Sequence, residues 1–195
     1  MTLDELAVEC LTDKSSLGHD YAIIYEQYFD KIRQDHINLL EIGVAKGHSL
    51  KLWYNYFSNA NIYAIDNDKD INHYQISSSK IYENDRTKIF IGDQANKIFI
   101  VNNLNGIYFD IIIDDGSHES TDQLASFEIL FDFLKPGGVY IIEDLHCSTP
   151  SSEIRQFLKR RCDDLLDSDK VRYPIRDNKI KSISFYNALA VITKQ

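Results

Sequence analysis

The chain has 195 residues, 44% of them hydrophobic, and a formal net charge of −9 at pH 7. This size predicts one globular domain over residues 1–195 with a full core. The acidic balance argues against a nucleic-acid partner, because phosphate backbones bind clustered lysine and arginine. Since no zinc-type cysteine spacing, signal peptide or ~20-residue apolar run is present, we expect a cytoplasmic protein with free thiols and no membrane partner.

The first third of the chain predicts alternating helices and strands. Apolar residues at helical spacing predict an amphipathic helix over 21–33, within an N-terminal helical or lid segment of residues 1–36. A strand at 38–42, a helix with Leu50 and Trp53 on one face, and a strand at 61–65 follow. This order is typical of βαβ units.

The middle of the chain gives a weaker pattern. Residues 67–87 are polar and carry no clear assignment. A strand at 88–91 and a short helix near 96–102 follow them, and the β-branched run that ends at Asp114 is typical of a strand buried on both faces.

The last third predicts two more helices and two more strands. Ser120 and Gln123 have capping-box spacing, and residues 135–138 are expected to end that helix and turn into a strand at 139–142. Thr149 before Pro150 predicts another helix start, and one last strand is expected at 183–193. The whole order predicts a three-layer α/β domain with a mainly parallel sheet.

A glycine loop between the first strand and the next helix indicates a cofactor site. Glu41, Gly43 and Gly47 lie in the stretch that ends at Ser49, where glycines allow a tight turn and a close backbone approach. The loop lacks the second glycine of a dinucleotide fingerprint, which favours a cofactor without phosphates, such as S-adenosylmethionine.

Acidic residues follow each predicted strand. Asp66, about twenty residues after the glycine loop, is placed to accept hydrogen bonds from ribose hydroxyls. Asp93, followed by Gln94, is expected on the adenine side. Asp114 ends the buried strand, and we place it with the cofactor-binding residues. Each acid alone could equally be an ordinary cap or loop residue.

A second constellation joins the segment Asp114 to His118 with Glu143 and Asp144. Converging carboxylates repel each other and favour a cation, and hard oxygen ligands favour Mg²⁺. His118 is a suitable proton acceptor near pH 7, although it could instead cap a helix or bind an acid structurally.

These motifs resemble the class I S-adenosylmethionine-dependent methyltransferases, and the segments "TDKSSLGHDYAIIYEQYF" and "IDDGSH" resemble the macrocin and mycinamicin sugar O-methyltransferases. The resemblance implies a Rossmann-like fold with a seven-stranded sheet and helices on both faces. It also implies Mg²⁺-assisted methylation of a sugar hydroxyl and possible self-association. By likeness to catechol O-methyltransferase, it places Asp115, Glu143 and Asp144 on the metal and makes His118 the base.

Other interpretations remain open from the sequence. The same scaffold could carry an NAD(P)-dependent oxidoreductase or epimerase, a non-catalytic cofactor-binding protein with a structural metal, or a metallohydrolase. Lys14, His19, Tyr21 and Tyr25 match the N-terminal signature of the sugar enzymes, but the sequence assigns them no role. The acceptor is expected to be a small molecule, a sugar or glycoside.

Overall fold

The computed structural model describes residues 1–67, 85–166 and 179–195. The chain divides into two compact units, Met1–Asp93 and Gln94–Gln195. The prediction of a single domain over residues 1–195 stays a prediction. Among the described helices, none has the length and apolar character needed to cross a membrane. All three cysteines are free thiols.

The first unit places helices beside a parallel three-stranded arrangement. Its described elements are α1 (Leu3–Glu9), α2 (Ala22–Phe29), a 3-10 turn (Asp30–Ile32), β1 (Asn38–Ile42), α3 (His48–Tyr56), β2 (Asn61–Asp66) and β3 (Thr87–Ile91). The strands lie in the order β3-β2-β1, and both pairings are parallel. Since the carboxyl ends of parallel strands lie on one edge, Glu41 and Asp66 come near each other.

An aromatic cluster forms the core of the first unit. Residues one helical turn apart supply it, Tyr25 and Phe29 from α2 and Trp53 from α3, with Phe57 directly after α3. Phe29 lies at the centre, with ring centroids 5.3 Å from Tyr25, 5.9 Å from Trp53 and 5.6 Å from Phe57. All four side chains are buried, so Tyr25 has a packing role.

The second unit combines parallel and antiparallel strands. Its described elements are α4 (Lys97–Leu104), β4 (Phe109–Asp114), α5 (Ser120–Leu130), a 3-10 turn (Phe131–Phe133), β5 (Leu134–Ile142), a 3-10 turn (Leu145–Cys147), α6 (Glu153–Leu166), β6 (Ile180–Tyr186) and β7 (Leu189–Lys194). The strand order is β4-β5-β7-β6. The β4/β5 pairing is parallel, and the β5/β7 and β6/β7 pairings are antiparallel.

The predicted α/β class and the seven strands agree with the described structure, but the mainly parallel sheet needs correction. The region expected as one strand at 183–193 is a hairpin, because the chain reverses between Tyr186 and Leu189. Ala188 adopts a left-handed φ of 57° in this turn, a conformation that favours glycine. The turn has no glycine or proline, and Asn187 is the one residue in it that favours a turn.

The predicted caps of two helices are wrong, although α5 begins at Ser120 as predicted. Ser120 does not cap α5; its Oγ instead accepts a hydrogen bond from the backbone N–H of Ile154, at 3.0 Å. Thr149 and Pro150 lie in a turn, and α6 begins only at Glu153. Tertiary contacts between neighbouring segments have taken the place of the local caps that the sequence predicted.

Residues 135–138 belong to β5 and not to a loop before it. Leu134 pairs with Phe109, and Val139 pairs with Ile111, so the pairing shifts register between them. Gly138 is required there, because a Cβ atom would lie only 2.9 Å from the carbonyl oxygen of Asp110. The other predicted strands agree with β1, β2, β3 and β4 to within one residue. Most of the unassigned stretch 67–87 lies outside the described residues.

Replacing Phe29 with alanine should destabilise the protein by about 3–5 kcal/mol, because a buried aromatic ring and its contacts are lost. Chemical denaturation followed by circular dichroism measures the change. The matched control is Ile23→Ala on the same helix, whose side chain is half exposed, and a change within about 0.5 kcal/mol is expected for it. Equal losses in the two variants would contradict this description of the core.

Candidate functional site

The glycine loop between β1 and α3 has the backbone geometry of a ligand-binding turn. Gly43 and Gly47 adopt left-handed φ angles of 89° and 73°, and Ala45 between them has φ 44°. Gly47 is the N-terminal cap of α3, and its N–H donates to the carbonyl of Val44 at 2.7 Å. Both glycines are therefore needed for the chain to pass from strand to helix in five residues.

Asp66, the last residue of β2, forms a hydrogen bond that stabilises this loop. Its Oδ2 accepts a hydrogen bond from the backbone N–H of Val44 at 2.7 Å, and the carboxylate is almost fully buried. The Gly43 N–H donates to the carbonyl of Ile65 at 2.8 Å, which adds a second link between the loop and β2. The predicted contact of Asp66 with a ribose stays a prediction.

Glu41 lies at the centre of a buried polar group. Its Oε2 accepts from Ser49 Oγ at 2.8 Å, and its Oε1 lies 3.8 Å from Lys14 Nζ. Glu41 and Lys14 are both fully buried, so the ion pair compensates two desolvated charges. Lys14 matches the N-terminal signature of the sugar enzymes, but nothing in its sequence position indicated that it pairs with Glu41.

Gln94 is buried, and both the nitrogen and the oxygen of its carboxamide form hydrogen bonds. Its Nε2 donates to Asp114 Oδ1 at 3.2 Å and to Ser126 Oγ at 2.8 Å, and its Oε1 accepts from the Ser117 N–H at 2.9 Å. Gln94 therefore holds the segment that follows β4. Asp93, the residue before it, is exposed. Their predicted adenine-side roles stay predictions.

Asp114 is fully buried at the end of β4. Tyr140 Oη donates to its Oδ2 at 3.4 Å, in addition to the bond from Gln94. Burial is the main reason that its pKa rises from 3.8 to about 7, while hydrogen bonds from Ser126, Gly116 and Gln94 oppose the rise. These contacts give Asp114 protein partners, and its role in cofactor binding stays a prediction.

Asp115, His118 and Asp144 form a cluster that could hold a metal ion. One potential ligand atom from each lies within 4.8 Å of the others. His118 Nε2 is 3.6 Å from Asp144 Oδ2, and His146 Nδ1 is 3.8 Å from Asp144 Oδ1. Two carboxylates fit Mg²⁺ or Mn²⁺, and an imidazole within reach also suits a softer divalent ion.

Two members of the cluster have strained backbones. His118 has φ 58° and Asp144 has φ 56°, in the left-handed region that non-glycine residues seldom adopt. Each such conformation costs of order 1 kcal/mol and persists only where surrounding contacts enforce it. Strained backbone positions are found often at functional sites, and here both belong to side chains that approach to 3.6 Å.

Glu143 does not join this cluster. Its side chain is buried, and its backbone is held on both sides: the N–H donates to the carbonyl of Asp114 at 3.0 Å, and the carbonyl accepts from Gln123 Nε2 at 3.0 Å. Gln123 thus positions the segment that carries Asp144. The capping-box spacing had given Gln123 a different role, and its distance in sequence from Glu143 left no signal for this contact.

His118 is available for proton transfer. Its Nδ1 is buried and has no hydrogen-bond partner within the described residues, and a third of its side chain is exposed. The ring therefore has Nε2 near Asp144 and Nδ1 without a hydrogen-bond partner among residues 1–67, 85–166 and 179–195. This geometry is compatible with the predicted role as a base and with a role as a metal ligand.

Comparison with known proteins identifies similar sequences. A family model described as "Methyltransferase domain" matches residues 40–145. The 8-demethyl-8-alpha-L-rhamnosyl tetracenomycin-C 2'-O-methyltransferase of Streptomyces olivaceus is 31% identical and covers 97% of this chain and 54% of its own length. Demethylmacrocin O-methyltransferase of Streptomyces fradiae is 34% identical over 73% of this chain and 36% of its own length. The chain therefore spans about half, or less, of these relatives.

Solved structures with the same fold include MycE methyltransferase from the mycinamycin biosynthetic pathway, in complex with Mg and SAH. It superposes with a TM-score of 0.82 at 28% identity, covering 100% of this chain and 54% of that chain. Another MycE structure, which also holds mycinamycin VI, gives a TM-score of 0.80 at 26% identity. These superpositions support the α/β methyltransferase fold, with the mixed strand directions described above.

The buried carboxyl of Asp114 should make stability fall as the pH rises. Because its native pKa of about 7 lies above the ordinary value of 3.8, the unfolded state releases this proton first, and native stability declines between about pH 4 and 7. Asp114→Asn removes this titration while keeping an oxygen acceptor. The free energy of unfolding of the variant, relative to that of wild type, should therefore increase by about 3 kcal/mol across that pH window.

Urea denaturation at a series of pH values, in chelator and without added cofactor, measures this difference. The matched control is Asp35→Asn, which alters an exposed carboxylate. If the free energies of unfolding of wild type and Asp114→Asn change with pH in parallel, the titration of Asp114 is not the cause of the decline.

Proposed function

Because the chain belongs to the methyltransferase domain family, we propose that it transfers a methyl group from S-adenosylmethionine to a hydroxyl oxygen of a small acceptor, a sugar or glycoside. The observation that carries this proposal is the cluster of Asp115, His118 and Asp144. The chain also has a glycine loop that Asp66 holds through a hydrogen bond. Relatives named as O-methyltransferases of glycosylated compounds support it over an oxidoreductase, a hydrolase or a non-catalytic protein.

The glycine loop is the proposed site for the cofactor. Gly43 and Gly47 let the backbone approach it, Glu41 and Ser49 hold the strand-to-loop junction, and Asp66 accepts from the ribose. The adenine-side residues are proposed to be Asp93, Gln94 and Asp114. The absence of a second loop glycine favours a cofactor without a pyrophosphate. The SAH bound in MycE supports this choice.

A divalent cation, proposed to be Mg²⁺, would supply a positive charge that lowers the pKa of the acceptor hydroxyl. Asp115 and Asp144 are the proposed carboxylate ligands, and Glu143 is retained as a third proposed ligand although it lies outside the described cluster. The potential ligand atoms of Asp115, His118 and Asp144 already lie within 4.8 Å of one another, so the cluster is close to a binding arrangement without a metal. The Mg in the MycE complex supports this assignment.

His118 is proposed to take the proton from the acceptor hydroxyl. A neutral imidazole can accept a proton near neutral pH, and Asp144 at 3.6 Å would stabilise the imidazolium that results. Methyl transfer then needs the oxygen and the methyl carbon in line, which the protein provides by positioning. We further propose that the chain works as one domain in the cytoplasm. Self-association and the identity of the acceptor are left to experiment.

Incubation with isotopically labelled S-adenosylmethionine, Mg²⁺ and a panel of glycosides should give methylated product by mass spectrometry, and chelator should abolish it. His118→Ala should lower turnover by about 100- to 10,000-fold, because the proton acceptor is removed. His36→Ala, an exposed histidine outside the site, is the matched control and should keep full activity.

Mn²⁺ binding to the same variants separates the two roles open to His118. If His118 is only the base, His118→Ala should bind Mn²⁺ with nearly wild-type affinity. If His118 is a metal ligand, that affinity should fall. Full turnover in His118→Ala, or turnover that survives chelation, would contradict the proposed mechanism.

A further inference from the structure

A cavity of about 420 Å³ in the second unit has no part in the site described above. Its volume is within the range of small-molecule pockets. Buried leucines form its walls, with Leu145 from the 3-10 turn after β5, Leu158 from α6 and Leu189 from β7. Phe185 and Tyr186 of β6 also line it, and Phe185 is 52% exposed. The cavity therefore offers an apolar surface with an accessible aromatic ring.

Two cations of α6 line the same cavity. Arg155 and Lys159 are one helical turn apart, so their side chains project from one face of the helix. Each contacts a backbone carbonyl: Arg155 Nη1 donates to Ser148 at 3.0 Å and Lys159 Nζ to Pro150 at 3.4 Å. Within the described part of the chain neither cation forms an ion pair, and no carboxylate lines the cavity.

This local charge contrasts with that of the whole chain, which is −9. A guanidinium has five donors in a fixed fork, and one hydrogen bond to Ser148 leaves most of them available for a planar or tetrahedral oxyanion. Arg155 is half-buried and Lys159 is exposed, so the apolar wall strengthens the attraction of an anion mainly at Arg155, where the local dielectric is lower. An amphipathic anion therefore fits this cavity.

The cavity also lies next to the metal-type cluster. Leu145 and His146 line it and directly follow Asp144 in the chain, and His146 Nδ1 is 3.8 Å from Asp144 Oδ1. A molecule whose hydroxyl reaches the cluster has this cavity beside it. The cavity and the cluster therefore share the segment Asp144 to His146.

We propose that the cavity binds the part of the acceptor remote from the methylated hydroxyl, and that this part carries an oxyanion, phosphate or carboxylate, beside an apolar or aromatic group. This inference rests on the proposed function and names its acceptor class. Arg155 and Lys159 bind the oxyanion, and Phe185 packs against the apolar group. A neutral glycoside lacks the group that these cations recognise.

Matched aryl glycosides test the proposal by calorimetric titration in Mg²⁺. The probes are para-nitrophenyl β-D-glucuronide and para-nitrophenyl β-D-glucoside, which differ by one carboxylate, with para-nitrophenyl phosphate as the phosphate probe. At low salt, at least one anionic probe should bind about tenfold more tightly than the glucoside. The tighter of the two anions identifies carboxylate or phosphate as the preferred group.

The double substitution Arg155→Gln with Lys159→Gln should reduce the affinity for the anionic probe to that for the glucoside. Arg160→Gln on the same helix, exposed and outside the cavity lining, is the control and should retain wild-type affinity. Equal affinities for charged and neutral probes, no binding of either anion, or unchanged affinity in the double variant would overturn the proposal.

A separate titration with S-adenosylhomocysteine keeps the two hypotheses apart. If the cofactor analogue binds but charge selectivity is absent, the acceptor class is wrong and the methyltransferase assignment stands. If the glucuronide or the phosphate binds through Arg155 and Lys159 while the analogue does not, the anion site stands and the cofactor assignment fails.

Discussion

Burying carboxylates at strand ends is the constraint on which both units depend. A buried ionised carboxylate is costly unless hydrogen bonds or opposite charge compensate it. In the first unit, Glu41 is compensated by Lys14 and Ser49, and Asp66 by the backbone N–H of Val44. These contacts also fix the glycine loop between β1 and α3. The interactions that make the acids tolerable are therefore those that shape the proposed cofactor site.

The second unit meets the same constraint in two ways. Asp114 accepts hydrogen bonds from protein donors and has its pKa raised by burial, so the fold itself compensates this acid. Asp115 and Asp144 instead lie close to His118, and His118 and Asp144 both have left-handed backbones, which cost some stability. Two carboxylates that lie close together repel each other, and this favours the binding of a cation between them. This difference separates the acid that builds the fold from those proposed to take part in chemistry.

The local sequence predicted much of this and missed what depends on distant contacts. The apolar strands β2 and β4 end at the acids Asp66 and Asp114, and their positions were readable from the sequence. The hairpin after β6 was missed because its turn has alanine at the left-handed position. Ser120 and Gln123 have the spacing of a local cap, yet they contact Ile154 and Glu143, which are far along the chain. The pairing of Lys14 with Glu41 has no sequence signature, since it arises only in the fold.

The most direct test of the central assignment is a calorimetric titration of the purified protein with S-adenosylhomocysteine, comparing wild type with Asp66→Ala. The account predicts that wild type binds in the micromolar range and that the variant binds about tenfold or more weakly. The variant loses the hydrogen bond from the Val44 N–H and also the proposed ribose acceptor. Asp35→Ala, at an exposed site, controls for the loss of one negative charge. No binding by well-folded protein freed of carried-over cofactor would contradict the account.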